Sequence, residues 1–203
     1  MERAVKGAPP DIVGYDPIAT AGDCYYDEVA AERSVEFFKK FCTHVKGPLA
    51  GKKFELEPWQ ANVNRTLFGW KRQDGTRRYR ICYIEVPRKN GKSTWMAGVA
   101  AYLLCADGEG GAEIYTAASD REQASLVFNI CSGIIRNAPL LNSQCRIRDS
   151  QKRITYKDGF MRAIPANEGG SHGFNSSAIL ADELHTWRGR DFKDVLHTST
   201  EIG

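Results

Sequence analysis

Residues Val86-Pro87-Arg88-Lys89-Asn90-Gly91-Lys92-Ser93-Thr94 place a glycine, a lysine and two hydroxyls in a basic turn, after the apolar run Tyr79 to Val86 and before a helical pattern. Such a turn can hold a triphosphate. Backbone N–H groups around Gly91, at the positive end of the helix that follows, would cradle the anion. Lys92 would reach the β- and γ-phosphates and Ser93 would ligate Mg²⁺. Val86 stands where the GxxxxGK[ST] pattern has its first glycine, so a second site has to carry part of the reading.

That site lies near the C-terminus, where Ala178-Ile179-Leu180-Ala181 run unbroken into Asp182-Glu183. A short apolar run of this kind is expected to be a strand buried on both faces. It would deliver the two acids to the carboxyl edge of a sheet, where open α/β sheets bind ligands. Asp182 would then hold Mg²⁺, and Glu183 would orient and deprotonate an attacking water. A lone Gly-Lys-Ser is an ordinary helix start, and a lone Asp-Glu is an ordinary strand end. Together, in this order and each after an apolar run, they read as one phosphoryl-transfer site.

The elements that must position them can be traced along the chain. Met1 to Asp23 is expected to be irregular. Val29, Val35, Phe37, Phe38, Phe41 and Val45 recur at helical intervals and predict amphipathic helix between Tyr26 and Val45. A second helix opens at Pro58 and runs through Phe68, with Trp59 and Gln60 in its first turn. Lys71 to Arg80 is a basic stretch around an Asp74-Gly75 turn, and Tyr79 to Val86 is expected to be the strand entering the phosphate loop. The helix leaving the loop ends near Ala106, Ala112 to Ala118 is a strand, and Asp120 caps a helix from Arg121 to Arg136. Short alternating strands between Cys145 and Ile164, with a Lys157-Asp158-Gly159 turn, read as a hairpin excursion, not another βα unit. Glu168 to Asn175 is expected to be a glycine-rich loop, and a short helix is expected from Asp191 to about Ser199. This order predicts an α/β, three-layer P-loop nucleotide hydrolase of RecA-like type with a mainly parallel sheet.

Composition adds bounds. The net charge of +3 with intermixed signs is too small to mark the whole chain as a nucleic-acid binder, so contact with DNA must come from local patches. The basic turn at Lys71, Arg72, Arg77, Arg78 and Arg80 and the hairpin at Arg146, Arg148, Lys152 and Arg153 are the candidates. The six cysteines show no CxxC pair, Cys82 and Cys131 read as small core residues, and no secretory or membrane-spanning stretch is evident. His172, His185 and His197 have no zinc-site spacing.

Five ordered segments resemble one family: Phe54-Glu55-Leu56-Glu57-Pro58-Trp59-Gln60, Pro87 to Ser93, Ala118 to Ala124, Ser171-His172-Gly173-Phe174, and Ala181-Asp182-Glu183-Leu184-His185. From about Phe37 to Gly203 the chain is similar to the large subunit of tailed-bacteriophage terminase, in the branch related to phage HK97. The resemblance implies an ATPase that uses ATP and Mg²⁺ to drive double-stranded DNA into procapsids. Its implied partners are a terminase small subunit, a portal and procapsid, and further copies in a ring, in the cytoplasm of a bacterial host and without a membrane. It also implies that Gln60 belongs to the adenine-recognition motif, that Val86 is normal for this phosphate loop, and that Arg88 acts in cis on the γ-phosphate. The nucleotide contacts it implies are Gln60 and Pro87, Arg88, Lys89, Asn90, Gly91, Lys92, Ser93 and Thr94. The metal ligands are Ser93 and Asp182, and the catalytic groups are Glu183, Arg88 and Lys92.

The expected organisation is a lead-in with a helical segment over 1–48 and the ATPase domain over 49–203. Relatives continue past the equivalent of Gly203 into a coupling strand, the rest of the ATPase domain and a nuclease. The chain is therefore expected to be a fragment, an interrupted gene or one half of a split protein completed by a second chain. Two other readings stand beside this one: a DExH-type helicase or translocase fragment, since Asp182-Glu183-Leu184-His185 suits both, and a catalytically inactive prophage remnant.

Overall fold

The computed structural model describes residues 9–165 and 175–187. They form two compact units. The first comprises the described residues up to Lys40 together with Phe54–Asn90, and the second comprises Phe41–Lys53 with the described residues from Gly91 onward. The boundary expected between residues 48 and 49 falls within the segment Phe41–Lys53. The expected 168–175 loop, except Asn175, and the expected 191–199 helix lie outside the described residues.

In the first unit, β1 (Tyr25–Tyr26) and β2 (Trp70–Lys71) pair antiparallel, and α1 (Glu28–Phe41) and α2 (Pro58–Gly69) are its helices. Asp27 opens α1, its Oδ1 accepting the Ala30 N–H at 3.0 Å. The buried side of α1 is Ala30, Ala31, Ser34, Val35, Phe37 and Phe38. Val29, read from the sequence as part of that stripe, is instead 71% exposed, because the alanines one and two positions later take the inward face. Tyr26, Ala31 and Trp70 make a small core, with the Tyr26 and Trp70 rings edge to face at 5.7 Å.

The expected strand Tyr79–Val86 does not form. Its residues pair with no other strand among the described residues, and Ile81 and Tyr83 are 63% and 69% exposed. The composition is strand-like, but a strand exists only when a neighbour satisfies its backbone donors and acceptors. For the same reason Cys82, expected in the core, is exposed.

The second unit is built on a five-stranded mixed sheet in the order β4-β5-β6-β3-β7. Its elements are α3 (Lys92–Cys105), β3 (Glu113–Ala118), α4 (Arg121–Asn137), the short α5 (Pro139–Asn142), β4 (Cys145–Arg148), β5 (Arg153–Tyr156), β6 (Gly159–Pro165) and β7 (Ala178–Ala181). Buried residues lie all round α3, from Trp95 and Ala97 to Leu103 and Leu104, so it is a core helix and not an amphipathic one. Asp120 caps α4 as expected, its carboxylate accepting the Gln123 N–H at 2.9 Å. Both helices pack on the sheet and on each other.

β4 and β5 form the expected hairpin, yet β6 does more than close it. It runs parallel to β3 in register from Glu113↔Phe160 to Ala118↔Pro165, so β3, α4 and β6 constitute a further parallel crossover. The excursion is therefore part of the main sheet. Parallel β6-β3-β7 is its centre, and the antiparallel hairpin is its extension. Register aligns Ile154, Met161 and Ile114 in one row across β5, β6 and β3, and all three are almost completely buried. β7 was expected to be buried on both faces. Its four residues are only half-buried, since among the described strands it has β3 on one side alone.

Gly159 starts β6 directly against the backbone of Ala112, the residue before β3. A Cβ there would lie 2.8 Å from the Ala112 carbonyl oxygen and 3.0 Å from its nitrogen, backbone atoms that cannot turn aside. Gly159→Ala should destabilise the chain by about 1–3 kcal/mol. Gly110→Ala, with nothing within 4 Å of the added carbon, should leave stability nearly unchanged. Urea denaturation of the two variants measures the contrast, and equal midpoints would contradict this β3–β6 packing.

Candidate active site

Gly91 sets the start of α3. It sits at the N-cap in the left-handed region, φ 70° and ψ 10°, a conformation that costs glycine nothing, so the chain turns directly into the helix with Lys92 as its first residue. Lys92, Ser93 and Thr94 occupy the first turn and are half-buried. At the other side of the site, β3 carries the ladder one step beyond β7, the Asp182 N–H donating to the Ala117 carbonyl at 2.9 Å. Asp182 is thereby held by the sheet's own hydrogen bonding at the carboxyl end of β7.

The two sequence motifs meet here. Lys92 Nζ lies 2.9 Å from Glu183 Oε1 and 3.1 Å from Asp182 Oδ1, and the Ser93 hydroxyl donates to Asp182 Oδ2 at 3.3 Å. Asp182 Oδ1 also accepts the Glu183 N–H, at 2.9 Å. Asp182 is 3% exposed, so its carboxylate depends on these donors and on the lysine for the solvation it has lost. Partial burial disfavours the charge on Lys92, but its hydrogen bonds to Glu183 and Asp182 outweigh that effect and raise its pKa above the ordinary lysine value.

Glu183 adopts φ 51°, left-handed backbone that a residue with a side chain seldom takes. The turn Leu184–Thr186 follows it, with the Thr186 hydroxyl donating to the Glu183 carbonyl at 2.8 Å. The second Glu183 oxygen, Oε2, is 3.3 Å from His185 Nδ1. The Trp187 indole N–H donates to the Asp182 carbonyl at 3.0 Å. Motif reading included His185 but missed the Trp187 brace. The only available signal was the aromatic five residues after the aspartate, which has no meaning until the turn folds it back.

Gln60, Pro87, Arg88, Lys89 and Asn90 belong to the first unit. Gln60 is 1% exposed and serves its own helix, its Oε1 accepting the Glu57 N–H at 3.0 Å, while its Nε2 donates to the Asn90 carbonyl at 3.5 Å. Asn90 Nδ2 donates to the Pro87 carbonyl at 3.0 Å, and Lys89 is left-handed at φ 70°. Arg88 is exposed and has no hydrogen bond or ion pair among the described residues.

The basic patches separate on inspection. Arg78 is spent inside the first unit, donating to the Pro17 carbonyl at 2.7 Å and the Thr20 hydroxyl at 2.8 Å, with its guanidinium 4.8 Å over the Trp70 ring. In the second unit Arg153 lies 3.8 Å over Phe160, and Lys152 donates to Asn129 at 3.2 Å. Arg146 and Arg148 remain on the exposed side of β4.

Two hard oxygen donors, Ser93 Oγ and Asp182 Oδ2, therefore stand beside a fixed ammonium, and the Glu183 carboxylate lies next to them. Oxygen donors of this type suit Mg²⁺, and the ammonium suits a phosphate. Comparison with known proteins agrees with that chemistry. The family model described as "Terminase large subunit, ATPase domain" matches residues 58–202. The chain is 28% identical over 178 residues to the large terminase subunit of Enterobacteria phage HK97, an alignment covering 83% of this chain and 33% of the relative. The crystal structure of the HK97 bacteriophage large terminase superimposes with a TM-score of 0.70 at 26% identity, covering 84% of this chain and 35% of that one. The chain thus spans about a third of the length of these relatives.

Lys92→Met would remove the cation that faces the buried Asp182. Since the lysine itself is partly solvated, the expected loss of stability is on the order of 1–3 kcal/mol. Because the folded-state pKa of Lys92 is raised, this contribution is whole below the ordinary value of 10.5 and is lost as pH climbs through the folded-state value. The stability gap between parent and variant should stay level from neutral pH upward and begin to close only in that alkaline range. A gap that vanishes near neutrality would refute the contact.

Proposed function

The chain belongs to the terminase large subunit ATPase domain family, and from that premise we propose that it binds Mg²⁺·ATP and hydrolyses it to move double-stranded DNA into a procapsid. The observation that carries this reading is the convergence of Lys92 and Ser93 with Asp182 and Glu183, residues some ninety positions apart, within hydrogen-bond distance of one another. A buried carboxylate beside a hydroxyl and an ammonium is what phosphoryl transfer requires, since that chemistry is mostly positioning and charge stabilisation.

Each residue then has a task. Lys92 releases its carboxylate partners in favour of the β- and γ-phosphates, and the N–H groups at the start of α3 face the same anion. Ser93 and Asp182 would hold the metal, which when bound neutralises charge on the phosphate oxygens. Glu183, freed from Lys92, orients the attacking water and accepts its proton, with His185 against its other oxygen. Arg88, exposed and unpaired among the described residues, is available to approach the γ-phosphate. Pro87, Lys89, Asn90, Gly91 and Thr94 shape the loop around the phosphates. Gln60 has its amide oxygen committed to Glu57 and one Nε2 N–H directed at the Asn90 carbonyl, so its contribution toward an adenine is the second N–H of Nε2.

For DNA, the exposed Arg146 and Arg148 on β4 are the better candidates, because Arg78, Lys152 and Arg153 are engaged within the fold. They would contact phosphates and thus position a duplex without reading it. The small subunit, the portal and a ring of further copies are the partners this role calls for.

The test is paired binding and turnover with the purified chain. Glu183→Gln should keep its affinity for a fluorescent ATP analogue while phosphate release falls by about 100-fold or more, and Lys92→Ala should lose both. Undiminished turnover in Glu183→Gln would remove Glu183 as the base. Undiminished nucleotide binding in Lys92→Ala would remove the site itself.

A further inference from the structure

Two cysteines that nothing in the sequence pairs meet in the second unit. Cys105 is the last residue of α3 and Cys145 the first of β4, and their Sγ atoms are 3.9 Å apart. Both are free thiols at partly exposed positions. The remaining cysteines are placed differently. Cys42 and Cys131 are completely buried, and Cys24 and Cys82 belong to the first unit.

We propose that Cys105 and Cys145 are an oxidative modification site, a dithiol that a low-molecular-weight disulfide such as oxidised glutathione converts into an intramolecular disulfide. The separation is the main argument. Two sulfurs already in contact need only a small adjustment of side chains to bond, provided their stems can come to the distance a disulfide demands. The pair is also asymmetric. The hydrogen bond from Cys105 stabilises a thiolate on Cys145 and lowers its pKa against the opposing effect of burial, while that same bond, and burial with it, pushes the Cys105 thiol up.

The thiolate of Cys145 is therefore the attacking group. It adds to one sulfur of glutathione disulfide, whose S–S bond breaks and expels one glutathione thiolate, leaving glutathione joined to Cys145. Cys105 then gives its proton to the expelled thiolate, and its sulfur attacks that of Cys145, displacing the second glutathione as a thiolate that takes a proton from water. Two protein thiols are oxidised, and one glutathione disulfide is reduced to two glutathiones. The new bond would fasten the trailing end of the helix whose first turn carries Lys92 and Ser93 to the outer hairpin of the sheet.

Treating the purified, reduced chain with oxidised glutathione, blocking the remaining thiols with an alkylating reagent and mapping the peptides by mass spectrometry tests this. The expected product is a monomer lighter by two hydrogens, with the Cys105 peptide joined to the Cys145 peptide and the bond lost on adding dithiothreitol. Cys105→Ser should instead trap glutathione on Cys145, and Cys145→Ser should leave Cys105 free. Two thiols that both stay alkylatable would overturn the proposal. So would a bond from either to a different cysteine, a dimer linked through Cys82 in place of the internal bond, or glutathione on Cys105 in Cys145→Ser at the rate seen for Cys145 in Cys105→Ser.

Discussion

A carboxylate almost wholly removed from water at the end of a strand cannot stand alone, and Asp182 is in that position. Lys92, Ser93 and the Glu183 N–H surround it, and each comes from a place the fold had to provide. Uncompensated burial of such a charge costs several kcal/mol, so the start of α3 and the end of β7 are tied to one another by electrostatics as well as by packing. The rest of the second unit serves that tie. The Gly91 turn aims Lys92, the burial of α3 on all sides fixes the helix against the sheet, and the β3 ladder fixes the height of Asp182.

The same need for neutralisation explains why the site is suited to phosphate chemistry. A lysine shared by two acids is a cation whose partners can be exchanged for other anions, and the oxygens it leaves behind are the donors a hard metal takes. Glu183 adds a further mark of function. It sits in left-handed backbone, held there by the Leu184–Thr186 turn and by Trp187 folding back on Asp182, and strain of this sort persists where the surroundings over-determine it.

Much of this architecture was legible in the residues. The helices beginning at Glu28 and Arg121 follow from apolar periodicity, and those beginning at Pro58, Lys92 and Arg121 carry recognisable openings: proline in the first turn, glycine at the cap, and aspartate at the cap. The two chemical motifs were legible for the same local reason, since each is written in consecutive positions. What failed were inferences that depend on neighbours. Tyr79–Val86 has the composition of a strand but no described partner, so Ile81, Cys82 and Tyr83 are exposed. Gly159–Pro165 reads as half of a hairpin, and no local feature shows that its other edge lies parallel to β3. Basic residues were the least legible, because Arg78 and Arg153 are drawn onto aromatic rings that are distant or ambiguous in the chain.

Residue order alone determined the chemistry on offer: a lysine and a serine at a helix start, two acids at a strand end, and helices with their caps. These are short-range properties, set by backbone sterics and side-chain type within a few positions. Only the tertiary structure decided that the lysine and the acids share one cluster, that Gln60 commits its amide oxygen to its own helix, which arginines stay exposed, and that Cys105 touches Cys145. Such outcomes rest on contacts between residues that are mostly far apart in the chain. Their free energy exists only once strand register and helix packing have brought the groups together and excluded the water between them.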